Sequence, residues 1–576
     1  LPKRNRQSFL HGALILSAAA ILTKIIGALF FKIPLQKINE TAYGYFIVAF
    51  NIYIPLYTVS TAGLPIAVSR MVSQSLTLGN YRDVRVIHRV ANRLFLLTGT
   101  LGTIIMLVSA FFYPDYIKIP NARLAMIIMA PSIMFCCMVS SYRGVYEGSR
   151  NMIPTAVSQI VEVVGKLLFG LALAAGALNL GLWQYNNGHA VYGRIAESAD
   201  KALEYSLPYV AGGGMLGVTI GSFFSFAYLY LRYRRYGNGI TKEELSSSPK
   251  PQNPKTIFRA LLRFAVPVAF GTLATQLSNL IDSVSFQKCL AVVVENSGDI
   301  IRDIYSHAFS VKKVEDINAF LTGNRDIALT LATLVPNITL SLGISALPVV
   351  TSAWELRDKR QLKNMVSTVL RITLLISLPS GLGLTALAKP ILTLIYDPVV
   401  AEVAGPQLEI LGLAVVFICL IGPIYAMLQA MGRADVPAKI VLIGGAIKLF
   451  LNILLVMNPR INVIGASYST LACFTTMVAL SLVYLRRMLG TSIHWRSIFI
   501  KPLFATICCS AAAWASNGLL SKVIPSNAAV IIAIVIAIFV YILALLSIRA
   551  IEREDILMLP KGQKIAQILA KYNWIG

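Results

Sequence analysis

Carboxylates are scarce in this chain: Asp and Glu number 26 in 576 residues, against 51 Lys and Arg. Charged residues of both signs make up 13% of the composition, where a soluble domain carries roughly 25%. Histidine is scarcer still, and His11, His88, His189, His307 and His494 form no cluster. The cysteines are scattered, with Cys136-Cys137 and Cys508-Cys509 as adjacent pairs inside apolar runs. No C-x-x-C or Cys/His spacing suggests a metal site, so the thiols read as small buried hydrophobes. P-loop, G-x-S-x-G and H-E-x-x-H motifs are also missing, which disfavours an ATP-driven pump and the familiar hydrolases. An integral-membrane glycosyltransferase or acyltransferase would need clustered acids, or a histidine on a loop near the interface, and neither is found.

What the chain has in quantity is apolar sequence, at 56% of residues. It lies in runs long enough to cross a bilayer, which takes about 20 helical residues. The expected fold class is therefore an all-α integral membrane protein. Fourteen spans are read at 11–34, 43–70, 93–112, 122–141, 155–176, 206–231, 264–288, 326–350, 365–388, 406–428, 440–457, 463–485, 500–519 and 527–548. The first apolar run reads as a span rather than a cleavable signal. Alternate loops carry 31 and 12 Lys and Arg, with eight more in or at the ends of spans. The positive-inside rule makes the richer side cytoplasmic, with both termini on it. The net charge of +25 is then mostly a topology signal. It predicts contact with anionic phospholipid headgroups rather than nucleic acid.

The chain is also written twice. Ala62-Gly63-Leu64-Pro65 recurs as Ser345-Ala346-Leu347-Pro348, and Gly148-Ser149-Arg150-Asn151 before Pro154 answers Met431-Gly432-Arg433-Ala434 before Pro437. Both proline pairs are 283 residues apart. Thr23-Lys24 and Thr275-Gln276 are offset by only about 251, so roughly 32 extra residues lie between, and the polar stretch 289–325 supplies them on the outer side. Duplicated membrane halves are common in transporters. The expected organisation is an N-lobe at 1–232, a cytoplasmic linker at 233–263, a C-lobe at 264–488 with the insertion 289–325, and a final helix pair with its tail at 489–576. Six spans per lobe make the repeats parallel. The Gly-, Ser- and Pro-rich linker from Tyr233 to Pro254 reads as a mobile connector.

Ionisable groups inside spans are the candidate site residues, because burying them in lipid is costly. Lys24 and Lys32 share the first span, near 80° apart on an α-helix. Glu162 and Lys166, four residues apart on the fifth, read as a switchable pair or as a self-neutralised structural one. Lys448 is the repeat counterpart of Lys166 and has Gly444 where the acid would stand. Asp282 and Asn279 on the seventh span read as ligands for sodium or carriers of a proton, or as helix-packing hydrogen bonds. Arg70 stands at the cytoplasmic end of the second span, lining a cavity or snorkelling to the interface. Interior cations outnumber interior acids, which suits a phosphate or pyrophosphate head group. A pump for cationic drugs would rather show unpaired acids.

Several runs carry a resemblance: Phe9-Leu10-His11-Gly12-Ala13, Leu22-Thr23-Lys24-Ile25-Ile26-Gly27, Gly63-Leu64-Pro65-Ile66-Ala67-Val68-Ser69-Arg70, and Tyr142-Arg143-Gly144-Val145-Tyr146-Glu147-Gly148 continuing through Asn151-Met152-Ile153-Pro154 to Glu162. They resemble the polysaccharide-biosynthesis flippases of the stage V sporulation protein B and MurJ-like type, in the multidrug/oligosaccharidyl-lipid/polysaccharide exporter (MOP) superfamily. The resemblance implies two six-helix lobes in a V around a cavity, plus two extra helices. It implies a flippase, not an enzyme, carrying an undecaprenyl-pyrophosphate-linked saccharide to the outer leaflet by alternating access. It places Lys24 and Lys32 at cavity positions, Glu162 at a recurring acid and Lys166 where a base is common. Several cavity arginines of relatives are lysines here, which removes bidentate recognition. No acid follows Tyr425 where some relatives contribute an ion ligand. No cofactor is expected beyond a coupling sodium ion or proton. The expected partners are the lipid-linked oligosaccharide and cell-wall synthesis proteins, in a bacterial cytoplasmic membrane serving cell-wall growth or sporulation. A cation-coupled multidrug antiporter of the same superfamily is the alternative.

Overall fold

The computed structural model describes residues 18–19, 22–61, 63–237, 239–336, 339, 350–433, 435–490 and 496–550. The repeat landmark at Ser345–Pro348, the tail after 550, and parts of the spans read at 11–34 and 326–350 lie outside the described residues. Eleven helices among the described residues are long and apolar enough to cross a membrane. The chain forms an all-α membrane fold. Its one strand pair among the described residues is a two-residue antiparallel ribbon, Ala190–Val191 with Arg194–Ile195.

The first described elements are a π-helical stretch, Ile26–Lys32, and a short helix α1 (Ile33–Ile38). Next come α2 (Glu40–Thr61), α3 (Leu64–Thr77), α4 (Tyr81–Tyr116), α5 (Arg123–Gly148), α6 (Ile153–Gly188) and α7 (Ala199–Tyr236). After α8 (Lys242–Ser247) follow α9 (Pro254–Asn296), α10 (Gly298–Ile304), α11 (Ser306–Lys312) and α12 (Ile317–Ala332). The remainder is α13 (Lys359–Ala386), α14 (Ala388–Ile395), α15 (Pro398–Ala430), α16 (Asp435–Leu451), α17 (Val463–Leu489), α18 (Lys501–Leu520) and α19 (Ser526–Ser547). A helix such as α4, with 36 residues, is about 54 Å long, so its ends stand clear of a hydrocarbon core about 30 Å thick.

Two compact units are present. Unit 1 comprises Leu1–Ala291 with Lys313–Gly323, and unit 2 comprises Val292–Lys312 with Asn324–Gly576. Unit 1 thus includes the first part of α9, whose Ile257, Leu261 and Ala265 are buried in the same core as Tyr45, Phe46 and Phe95. The core of unit 2 gathers α13, α15 and α17 around Leu370, Leu374, Ile424 and Met477.

Two helix-ending turns of unit 1 have counterparts of the same type in unit 2, a left-handed C-cap that also ends α4 at Lys118 and follows α19 at Arg549. Between α3 and α4, Asn80 N–H donates to Ser75 O and Tyr81 N–H to Gly79 O; before α13, Asp358 N–H donates to Ala353 O and Lys359 N–H to Arg357 O. Gly79 and Arg357 hold the left-handed position at φ 73° and 55°. Between α5 and α6, Arg150 N–H donates to Glu147 O and Asn151 N–H to Tyr146 O; the turn after α15 repeats this with Gly432 to Gln429 and Arg433 to Leu428. Here the left-handed residues are Arg150, at φ 55°, and Gly432, at φ 78°. Each pair of turns has the same hydrogen-bond pattern, and the arginine and glycine exchange places between the units.

The linker expected to be mobile is folded instead. Thr241 caps α8 through a reciprocal capping box with Glu244. The segment then docks on the start of α4: Arg82 donates through its backbone N–H to Ser248 Oγ at 3.1 Å and through Nε to Leu245 O at 3.0 Å. Gln252 N–H donates to the Asp83 carboxylate at 2.7 Å. Composition favoured flexibility, but buried backbone groups found partners on α4. Thr241→Ala combined with Asp83→Ala removes one cap and one dock, each worth about 1 kcal/mol. Limited proteolysis should then cut the linker several times faster than in the wild type, with cleavage between α4 and α7 unchanged.

The insertion 289–325 carries ion pairs in both units. In unit 1, Lys313 Nζ reaches both Asp200 carboxylate oxygens at 2.7 and 2.8 Å, and Lys201 Nζ bridges Glu315 at 2.5 Å and Glu204 at 2.9 Å. In unit 2, Lys312 binds Asp397 at 2.6 Å and Tyr305 donates to Asn462 at 2.8 Å. Glu315 is held below the usual carboxylate range, first by its hydrogen bond with the Glu204 carboxyl and then by the Lys201 ammonium. A depressed folded value means that Glu315 favours docking above the ordinary carboxylate range and loses that contribution as pH falls through the lowered value. Asp316 runs the other way, raised by burial. In an Asp316→Asn background, hydrogen exchange of residues 313–320, corrected for intrinsic rates, should accelerate below about pH 4. Lys201→Met should weaken that acid dependence, leaving the part that the Lys313–Asp200 pair contributes.

Candidate functional site

Along α2, Tyr43, Phe46, Phe50, Tyr53 and Tyr57 recur at three- and four-residue intervals and stack into one ladder, with successive ring centroids 5.7–5.9 Å apart. Helical periodicity puts all five rings on one edge of α2. The π-helical stretch delivers Phe31 onto this ladder, 5.9 Å from the Phe46 ring and buried. The next residue, Lys32, points its ammonium at the Phe50 ring, 5.9 Å from the centroid. From α6, Lys166 Nζ stands 4.4 Å from the Phe31 centroid and 5.2 Å from that of Phe50. Two lysines from different elements therefore converge on one ring. Each cation–π contact is worth about 1 kcal/mol, more where water is excluded. The two ammonium groups repel each other, and an anion placed between them would relieve that repulsion.

One turn before Lys166 on α6, Glu162 faces α5. Its carboxylate accepts from Arg143 Nη2 at 2.9 Å. Arg143 also donates from Nε to Ser158 Oγ at 2.9 Å and from Nη2 to Ser225 Oγ at 3.4 Å. Ser225 in turn donates to the Ser158 carbonyl at 3.0 Å, so the arginine is held by side chains of α6 and α7 together. The sequence pairs Glu162 with Lys166. The structure corrects this: the ion pair of Glu162 runs between helices to Arg143, and Lys166 takes the aromatic rings. Arg143 stands in a run that drew attention only for its resemblance. The missing signal was an unmatched acid, which calls for a cation from a neighbouring helix as readily as from its own.

Close approach of α7 to α6 sets this geometry. Gly213, Gly217 and Gly221 recur every four residues on α7, the spacing that lets membrane helices meet backbone to backbone. A Cβ on Gly221 would lie 2.5 Å from the Glu162 carbonyl oxygen, and one on Gly217 would lie 3.1 Å from that of Lys166.

Of the other candidates, Lys24 is exposed on the helical residues 22–25, ahead of the π-helical stretch. The bonding pattern of that stretch differs from an α-helix, so the 80° estimate relating Lys24 to Lys32 does not hold. Arg70 on α3 and Asn279 on α9 are exposed, and Asp282 on α9 is half-buried. Lys448 is half-buried on α16 of unit 2. Among the described residues, no group of three or more His, Cys, Asp or Glu could hold a metal ion.

Long apolar helices, with two lysines gathered on aromatic rings, describe an integral membrane protein. Residues 9–196 match the family model described as polysaccharide biosynthesis protein, and residues 330–539 the model described as lipid II flippase MurJ. The chain is 23% identical to stage V sporulation protein B of Bacillus subtilis (strain 168), over 87% of this chain and 88% of that one. Among solved structures, it resembles a lipid II flippase MurJ in an inward closed conformation, with a TM-score of 0.61 at 14% identity over 92% of this chain and 98% of that one. It also resembles a multidrug resistance MATE family transporter in an inward-facing conformation, with a TM-score of 0.60 at 12% identity over 83% and 98%. The chain is a membrane transporter that resembles flippases of the stage V sporulation protein B and MurJ-like type.

The inter-helix pair gives a direct test. Glu162→Gln and Arg143→Gln should each destabilise the protein by about 1–3 kcal/mol, because each strands a polar partner. The double variant should cost less than the sum of the two, as read by thermal unfolding in detergent. Strict additivity would mean that the pair does not act as a unit.

Proposed function

We propose that the chain is a flippase for an undecaprenyl-pyrophosphate-linked saccharide, a lipid II-like peptidoglycan precursor or another polysaccharide precursor. It carries the head group from the inner to the outer leaflet of the bacterial plasma membrane by alternating access, with both termini in the cytoplasm. The observation that carries this reading is the convergence of Lys32 and Lys166 on Phe50. A pyrophosphate is the chemistry that two closely placed ammonium groups favour. Lys24, Arg70 and Lys448 are further substrate-binding residues in this reading, and the Glu162–Arg143 pair holds α6, with its Lys166, in register. Asp282 and Asn279 provide the coupling site for sodium or a proton. Membrane anionic phospholipids surround the protein, and cell-wall synthesis proteins are its functional partners.

The test is transport of defined undecaprenyl-pyrophosphate-linked saccharides in proteoliposomes. Wild type should move them, and Lys32→Ala or Lys166→Ala should lower the initial rate about tenfold, the effect of losing one charged hydrogen bond of about 1.5 kcal/mol. Lys24→Ala and Lys448→Ala belong in the same series. Sodium and proton gradients imposed separately identify the coupling ion, and Asp282→Asn should remove the response. Unchanged transport in all four lysine variants overturns the cationic-site mechanism. Transport of organic cations in place of the lipid would favour the antiporter reading.

A further inference from the structure

Away from the lysines, unit 1 holds a cavity of about 380 Å³ where the end of α3, the start of α4 and the α5–α6 turn meet. Ser73, Thr77 and Tyr81 line it from one side, and Gly148, Ser149 and Arg150 from the other. Its lining contains a guanidinium and four hydroxyls but no carboxylate. It sits at the end of the unit that carries Arg82, Arg85 and Arg89, the cytoplasmic end under the positive-inside bias.

The backbone adds an independent observation. Arg150 adopts φ 55°, a conformation that disfavours residues with a Cβ. The matching turn in unit 2 has the same hydrogen bonds and uses Gly432 at φ 78°. The turn itself therefore does not require arginine, and glycine relieves the strain. What arginine adds is a guanidinium at the cavity rim. Unit 2 has a left-handed arginine at the turn before α13, Arg357, which lines a cavity of about 480 Å³ together with Glu355 and Lys359. That lining includes an acid beside its cations, and the Arg150 lining has none.

We infer that the Arg150 cavity binds a phosphate-bearing group at the cytoplasmic membrane surface, independently of the transported substrate. The guanidinium presents a planar fork to two phosphate oxygens, and the Ser73 and Tyr81 hydroxyls are placed to donate to the others. The volume suits a small head group rather than a saccharide chain. An anionic phospholipid headgroup and a free phosphate share this chemistry.

Purified full-length protein in phosphatidylcholine mixed micelles provides the test, read as a shift in Tm. One arm titrates phosphatidylglycerol, and the other titrates inorganic phosphate against chloride at constant ionic strength. Arg150→Gly is the informative variant, because it keeps the left-handed turn and relieves its strain. Its Tm without ligand should equal or exceed that of the wild type, so failure to fold cannot imitate loss of binding. Wild type should gain Tm with phosphatidylglycerol, and the concentration for half the shift should rise at least about tenfold in Arg150→Gly. A gain with phosphatidylglycerol alone identifies a lipid headgroup, and a gain also with inorganic phosphate identifies a free phosphate group. Equal shifts in wild type and Arg150→Gly, or none in either arm, overturn the inference. Flipping measured on the same variant distinguishes this site from the Lys32–Lys166 site, because the inference expects binding to fall while transport of the saccharide lipid persists.

Discussion

The backbones of α6 and α7 meet with almost no side chain between them. Gly217 and Gly221 make this contact, and the placement of Glu162 and Lys166 depends on it. It fixes the rotation of α6, so that Glu162 faces Arg143 and Lys166 faces Phe31 and Phe50. In lipid, helices gain little from hiding apolar surface against each other, and close packing has to supply the cohesion. A methyl group at Gly221 would therefore act on chemistry as much as on stability, because the atom it would strike is the carbonyl of Glu162 itself.

Charge is then arranged on two different principles a turn apart. Glu162 and Arg143 neutralise each other and are further satisfied by serines, which makes a fixed element. Lys166 is held by the faces of Phe31 and Phe50, which attract a cation without neutralising it. A carboxylate opposite Lys166 would have quenched it. Aromatic rings hold it in place and leave its charge available. The proposed binding of an anionic cargo rests on this distinction more than on the number of buried cations.

The class of fold was legible from composition and run length alone, because lipid imposes a simple rule on hydropathy. The last two helices agree closely with the sequence reading: 500–519 and 527–548 correspond to Lys501–Leu520 and Ser526–Ser547. At Pro154 and Pro437 the preceding turns are of one type, but their left-handed residues, Arg150 and Gly432, stand four and five residues before the proline, so the 283-residue offset does not run through the turn itself. Pairings between helices were not legible. The Glu162–Lys166 spacing was a real signal for two charges on one helix, but it carried no information on what α5 presents opposite them. The aromatic ladder was present in the sequence as Tyr43, Phe46, Phe50, Tyr53 and Tyr57, yet a stripe of rings on an apolar helix reads as packing until a lysine is seen over it. The linker failed for a related reason: its glycines and prolines describe the unfolded preference, while Arg82 and Asp83, far away in sequence, supply the dock.

The ladder also gives unit 1 a stiff edge. From Tyr43 to Tyr57 is about 21 Å along the helix axis, with each ring braced by the next. At one end, Gly44 lies against the Ala319 backbone of α12; in the middle, Phe50 carries the two lysines. The contact leaves no room for a side chain on Gly44, so a displacement of the first turn of α12 would press on α2 six residues before the ring that both lysines approach.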